Sequence, residues 1–316
     1  MSDSMKIVIA LGGNALQSQH SEPTAQAQLE VVRQTCQHIA AISGRGYEMA
    51  LVHGNGPQVG RIVLAGEAAR DVVPPMPFDV CGAMSQGYIG YHLQQALRFA
   101  LNQCNRDVPV VSLVTQVVVD REDPAFQTPT KPIGPFYTQA EADALSAEKG
   151  YTMKEDAGRG WRRVVASPLP RRIVELEEVK RLWDRAIVVT CGGGGIPVVE
   201  NPDGSLTGVA AVIDKDFAAE LLAEQVGADT FLILTEVENV AIHWGTPEQE
   251  DLRHLTLAEA ARHVEDGQFA PGSMLPKVLA AMRFARLHPG KRAIITSLDK
   301  AIDALEGKTG TVITFA

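Results

Sequence analysis

Short apolar runs alternate with longer stretches of helical spacing along almost the whole of this chain. Ile7 to Leu11, Tyr47 to Val52, Ala186 to Thr190 and Asp229 to Leu234 are near-continuous hydrophobic segments of strand length. A strand covered on both faces reads this way, whereas a half-solvated strand alternates apolar with polar. Between the first two runs, Pro23 to Ser43 carries Leu29, Val32, Cys36, Ile39 and Ala40 at helical spacing, and Gly44-Arg45-Gly46 ends it. Further helices are predicted over Asp79 to Ala100, Glu175 to Trp183, Asp214 to Val226, 256 to 266, and from about Lys277 to Leu287. The β-branched run Val108 to Val119 predicts one strand, and Val164 to Ser167 a return to the sheet. Ile196 to Val199 and Gly208 to Ile213 read as a hairpin around Asn201-Pro202-Asp203-Gly204. Lys291 to Thr296 and Thr309 to Phe315 supply the last strands. Strands and helices in this alternation predict an α/β fold with a mainly parallel, doubly covered sheet.

Three of the strands end in glycine turns. The first delivers Gly12-Gly13 and then Asn14; the second runs through His53 into Gly54-Asn55-Gly56, with Pro57 opening a helix; the third leads through Cys191 to Gly192–Gly195. Open α/β sheets bind ligands at such carboxyl edges. Glycine lets backbone amides approach an anion closely and accepts positive φ at little cost. His53 admits two readings, a proton acceptor or a structural ring.

The texture changes between Asp120 and about Arg163. Prolines at 124, 129, 132 and 135 and glycines at 134, 150, 158 and 160 break any long regular element, which predicts an excursion from the sheet. Lys131 is fenced by Pro129 and Pro132, so ordering it costs less backbone entropy than for a free loop lysine. Asp214-Lys215-Asp216 at a helix start is the densest charge constellation. Asp214 suits an N-cap and Asp216 the helix dipole, whatever else they do.

Composition narrows the function. The 316 residues carry a net charge of -9, which argues against nucleic acid or a membrane surface as partner. An anion site must therefore be built locally. Cys36, Cys81, Cys104 and Cys191 are scattered without metal-ligand spacing, so a reduced, cytoplasmic chain with no protein-held metal is expected. The opening MSDSMK lacks an apolar leader core, and no apolar run reaches membrane-spanning length. Glycine turns together with Lys131, Lys215 and Lys277 point to phosphoryl transfer, which needs amide donors and positive charge around a dispersed anion. There is no GxxxxGK[ST], and Gly54-Asn55-Gly56 lacks the third glycine of GxGxxG, which excludes P-loop proteins and standard dinucleotide-binding dehydrogenases.

The blocks ALGGNAL (10–16), HGNGPQVG (53–60), TKPIGPF (130–136), KEDAGRGWRRVVASP (154–168), GGGGIPVV (192–199), AVIDKDFA (211–218) and PGSMLPK (271–277) together resemble carbamate kinases of the amino-acid-kinase superfamily. The resemblance implies reversible phosphoryl transfer between carbamoyl phosphate and ADP, with Mg²⁺. It also implies a homodimer with a three-layer α/β/α sandwich: one domain over 1–316, with a carbamate and phosphoryl lobe about 1–190, a nucleotide lobe about 191–316 and a small protruding subdomain about 120–163. Carried onto these positions, Gly12, Gly13, Asn14, Gly54, Asn55 and Gly56 would hold carbamate and the transferred phosphoryl group. Lys131, Lys215 and Lys277 would neutralise that group, with Asp214 and Asp216 orienting the lysines. Gly193, Gly194, Gly195, Thr235, Glu236, Val237, Ser273 and Met274 would line the nucleotide. Many members of the wider superfamily, acetylglutamate kinases among them, carry a lysine just before the first glycine turn. Ala10 stands there in this chain, and Lys131 supplies the missing charge on this reading. Two alternatives stay open: the same fold acting on another small carboxylate, or a nucleotide-binding regulator without catalysis.

Overall fold

The computed structural model describes residues 5–17, 22, 24–156, 158–287 and 289–316. Met1–Ser4 of the MSDSMK stretch, Pro23 at the predicted start of the first helix and Ala157 of the KEDAGRG block lie outside the described residues.

Strand β1 (Lys6–Leu11) precedes helix α1 (Ala25–Ser43), and β2 (Glu48–His53) runs almost directly into α2 (Gly56–Ala68). Helix α3 (Phe78–Gln103) is followed by β3 (Val110–Ser112) and β4 (Gln116–Val119). Next come β5 (Lys131–Tyr137), α4 (Gln139–Lys149), β6 (Met153–Glu155) and β7 (Trp161–Val165). After them lie β8 (Pro170–Ile173), α5 (Leu176–Leu182), β9 (Ile187–Val189), β10 (Ile196–Glu200) and β11 (Leu206–Gly208). The second half holds α6 (Lys215–Gln225), β12 (Thr230–Thr235), β13 (Val240–Ile242), β14 (Glu250–Leu252), β15 (His254–Thr256) and α7 (Leu257–Glu265). It closes with α8 (Met274–Arg286), β16 (Arg292–Ser297), α9 (Ala301–Leu305) and β17 (Thr311–Thr314).

The main sheet has eight strands in the order β15-β17-β16-β12-β1-β2-β9-β3. It is parallel apart from the β16–β17 pair. Alternation along β1 shows why its sequence is apolar throughout. Ile7, Ile9 and Leu11 enter one core with Ile39 of α1 and Leu93 and Leu97 of α3. Val8 and Ala10 enter the opposite core with Leu222 of α6 and Phe284 of α8. Helices cover both faces, giving three α/β/α layers.

Several expectations are corrected by long-range partners. The run from Val108 to Val119 is not one strand but β3 and β4, in different sheets. Gln86, buried on α3, donates from Nε2 to the Thr115 carbonyl at 3.1 Å and accepts from the Thr115 amide at 2.8 Å. Those bonds satisfy the backbone where the chain leaves the main sheet for a four-stranded one, β11-β10-β4-β8. The 120–163 stretch does contain regular elements. Thr138 and Glu141 make a capping box, Gly150 closes α4 in the left-handed conformation, and α4 packs on β6 and β7. Val164 and Val165 belong to β7 in the separate antiparallel sheet β5-β7-β6 rather than to the main sheet. The hairpin partner of β10 is 206–208, not 208–213.

One buried charge gives the fold a pH signature. Glu220 on α6 is fully enclosed, with Arg283 Nε of α8 at 3.0 Å. Burial, aided by Glu224 and opposed by Arg283, raises its carboxyl from the ordinary 4.5 to about 7. The folded chain therefore holds this proton more tightly than the unfolded chain. Stability from this site is full below pH 4.5 and drains as pH rises through about 7. Glu220→Gln is expected to match the parent at pH 5 and to exceed it at pH 8 by on the order of 2 kcal/mol, read from thermal melts.

Candidate active site

Strands β1, β2 and β12 are adjacent and parallel, with Leu11 level with His53 on one side and with Leu234 on the other. The turns that leave them therefore meet at one edge of the sheet. Neither Gly12 and Gly13 nor Gly54 and Gly56 takes a positive φ, contrary to the expectation for these turns. Space forbids a side chain only at Gly12, and a Cβ on Gly13 or Gly56 would meet nothing within 4 Å. A Cβ on Gly12 would come within 2.8 Å of the Leu234 carbonyl oxygen, whereas one on Gly54 would meet Lys215 Cδ at an ordinary contact distance of 3.6 Å.

The lysines converge on the start of α6. Asp214 caps that helix, its Oδ1 accepting from the Asp216 amide at 3.0 Å, and its Oδ2 lies 3.1 Å from Lys131 Nζ of β5. Asp216 pairs with Lys215 through Oδ1 and with Lys277 through Oδ2, the latter at 3.2 Å. Lys277 also donates to the Ser273 carbonyl at 3.1 Å, one turn earlier at the head of α8. Burial works to raise the Asp216 carboxyl, but the Lys215 and Lys277 ammonium groups outweigh it and hold the pKa low. Three ammonium groups against two carboxylates leave one positive charge in excess, in a chain whose overall charge is negative.

Two cavities flank this cluster. The larger, about 690 Å³, is lined by Gly12, Gly13, Asn14, Lys215, Thr235, Glu236, Val237, Ser273, Met274 and Lys277. Its volume suits a drug-sized or cofactor-sized molecule. The smaller, about 480 Å³, lies between α2 and β5 and is lined by Asn55, Gly56, Lys131 and others. The Asn14 side chain donates to Glu236, which ties the first glycine turn to the loop after β12.

Gly193, Gly194 and Gly195 fall elsewhere. They are buried, line neither of these cavities, and all take positive φ. A Cβ would strike the Asn55 side chain at 2.2 Å, the Ile213 carbonyl oxygen at 2.1 Å and Val117 Cγ2 at 2.2 Å, respectively. Close packing under the second glycine turn and the DKD segment gives each of these glycines a structural reason of its own. His53 is buried and its pKa is pushed down to about 4, chiefly by burial, which keeps the ring neutral and makes it a weak base near neutrality. The sequence reading also passed over Arg61 and Arg162 beside the smaller cavity, and Trp244 and Phe269 beside the larger. Arg162 sat within a noted block, and Trp244 stood out as a large aromatic in a polar loop.

No three His, Cys, Asp or Glu side chains among the described residues come together as a metal site. Both cluster carboxylates are engaged by lysines.

Residues 5–297 match the family model described as the amino acid kinase family, and the chain belongs to that family. Its kinship there is with carbamate kinases. It is 52% identical to a carbamate kinase of Pyrococcus horikoshii, over 98% of this chain and 99% of the relative. It is 54% identical to a carbamate kinase of Clostridium perfringens, with 98% and 99% covered. The solved structure of carbamate kinase from Giardia lamblia bound to AMP-PNP superposes with a TM-score of 0.94 at 45% identity, covering 99% of each chain.

Proposed function

We propose that this chain catalyses reversible phosphoryl transfer between carbamoyl phosphate and ADP, giving ATP and carbamate. The observation that carries the reading is the lysine–aspartate cluster between a nucleotide-sized cavity and a smaller one, in a chain akin to carbamate kinases over nearly its full length. In the ATP-forming direction a terminal oxygen of ADP bonds to phosphorus as the bond from phosphorus to the carbamate oxygen breaks. Carbamate leaves as an anion and, on taking up a proton from water, decomposes to ammonia and CO₂. Attacking and leaving oxygens are both anionic, so no general base is required.

In this assignment Thr235, Glu236, Val237, Ser273 and Met274 line the nucleotide. Gly12, Gly13, Asn14, Gly54, Asn55 and Gly56 offer main-chain and amide donors to the phosphoryl group and carbamate. Lys131, Lys215 and Lys277 stabilise charge on the transferring group, and Asp214 and Asp216 hold the lysines in place. The donor set fits Mg²⁺ carried in on the nucleotide phosphates rather than caged by protein, with Asp214 the more open carboxylate nearby. When bound, Mg²⁺ supplies charge neutralisation on those phosphates. A homodimer is supported by the exposed apolar residues Met84, Tyr91 and Phe99 along α3. A cytoplasmic setting is supported by four free cysteines.

The test is ATP turnover with carbamate compared with ATP binding alone. Sustained carbamate-dependent ADP release is expected. Tight ATP binding without turnover would instead support a regulator.

A further inference from the structure

The ring that closes β2 has no part in the chemistry above, yet it is bonded to the second glycine turn. His53 is 1% exposed, and its Nδ1 lies 2.8 Å from the carbonyl oxygen of Gly54. A carbonyl can only accept, so Nδ1 carries the proton and the ring is the neutral Nδ1–H tautomer. The other edge of the ring rests on Gly192, where a Cβ would come within 2.5 Å of Nε2. The Gly192 carbonyl accepts from Gln86 Nε2 at 2.9 Å, and Gln86 also holds the Thr115 backbone. The ring is thus wedged between the end of β2 and a fixed scaffold.

In a trans peptide the C=O and the next N–H point in opposite directions. Tying the Gly54 oxygen to His53 therefore turns the Asn55 N–H away from the ring, and Asn55 and Gly56 line the smaller cavity. The Asn55 side chain is anchored separately, donating to Ser85 Oγ at 2.9 Å, which itself donates to the Gly82 carbonyl at 2.6 Å.

We infer that His53 is a positioning residue for phosphoryl transfer: its Nδ1–H locks the Gly54–Asn55 peptide so that the Asn55 N–H faces the anion in the smaller cavity. The inference rests on the proposed reading of that cavity as the phosphoryl and carbamate side. A ring held neutral and buried suits a lock better than an acid or base.

Three variants of the full chain test it. His53→Asn keeps a donor near the Nδ1 position, His53→Gln moves the amide toward the Nε2 position, and His53→Leu keeps only bulk. His53→Gln and His53→Leu are expected to lower kcat/KM for carbamoyl phosphate roughly ten- to a hundredfold, the scale of a misplaced catalytic contact. KM for ADP should stay near the parent value, and His53→Asn should recover most of the loss. The lock is overturned if Asn does no better than Gln or Leu, whether all are active or all impaired. Nitrogen-15 NMR of the parent protein decides the matter even if the variants fail to fold. A proton on Nδ1 with a bare Nε2 supports the lock; an Nε2–H tautomer overturns it. Absence of parent turnover would defeat the functional reading alone, because the tautomer is read without activity.

Discussion

Lys131→Ala is expected to lower kcat for ATP formation by about two orders of magnitude or more, the scale of lost charge stabilisation in the transition state. Lys131 stands on β5, outside the main sheet, lines the smaller cavity and reaches Asp214 at 3.1 Å. Its ammonium group is the one cation of the cluster contributed by the β5-β7-β6 sheet. It does not line the larger cavity, so nucleotide affinity should change little. Removing it also costs the fold little, because the Lys131–Asp214 pair is part-exposed and Asp214 keeps its bond to the Asp216 amide. Lys131→Arg should recover only part of the rate, since a planar guanidinium cannot place its charge where the ammonium stood. Steady-state kinetics with carbamoyl phosphate and ADP check the result. Near-normal turnover of the alanine variant would remove Lys131 from the assignment.

Lys215→Ala is expected to cost a similar or larger factor in kcat while leaving the chain folded. The lysine sits at the first position of α6, with its aliphatic stem against Gly54 and its ammonium on Asp216. It thus lies against both the second glycine turn and the buried carboxylate. After its removal Asp216 still has Lys277 at 3.2 Å, so the buried charge is not left alone. Loss of stem packing should reduce stability by about 1–2 kcal/mol. Removing Asp216 itself is a different case, because two ammonium groups would then face each other without a counter-charge; about 3–5 kcal/mol of stability should go with it. Circular dichroism melts beside kinetics separate the two outcomes. A Lys215→Ala chain that unfolds would make the cluster chiefly structural.

Much of the architecture was legible because burial on both faces leaves an uninterrupted apolar signature, as in β1, β2 and β12. The meeting of their turns followed from parallel order, which the sequence pattern supplied. What escaped was set by partners remote in the chain. Nothing near Thr115 announces that Gln86 will take its backbone bonds and end β3. Four successive glycines announce that a Cβ is forbidden, but not that Asn55, Ile213 and Val117 are the neighbours that forbid it. Helix α4 was different, because its Thr138-Gln139-Ala140-Glu141 start is a local capping signal that the surrounding prolines and glycines masked. The lysines were found by residue type and resemblance; that two of them share Asp216 while the third holds Asp214 needed coordinates.

The measurement that bears most directly on the central claim is the initial rate of ATP formation from ADP and Mg²⁺ with three donors: carbamoyl phosphate, acetyl phosphate and acetylglutamyl phosphate. Fast turnover with carbamoyl phosphate, a lesser rate with the nearly isosteric acetyl phosphate and none with the bulky third donor is the predicted result. A preference for acetylglutamyl phosphate, or no ATP from any donor despite measurable nucleotide binding, would contradict the account.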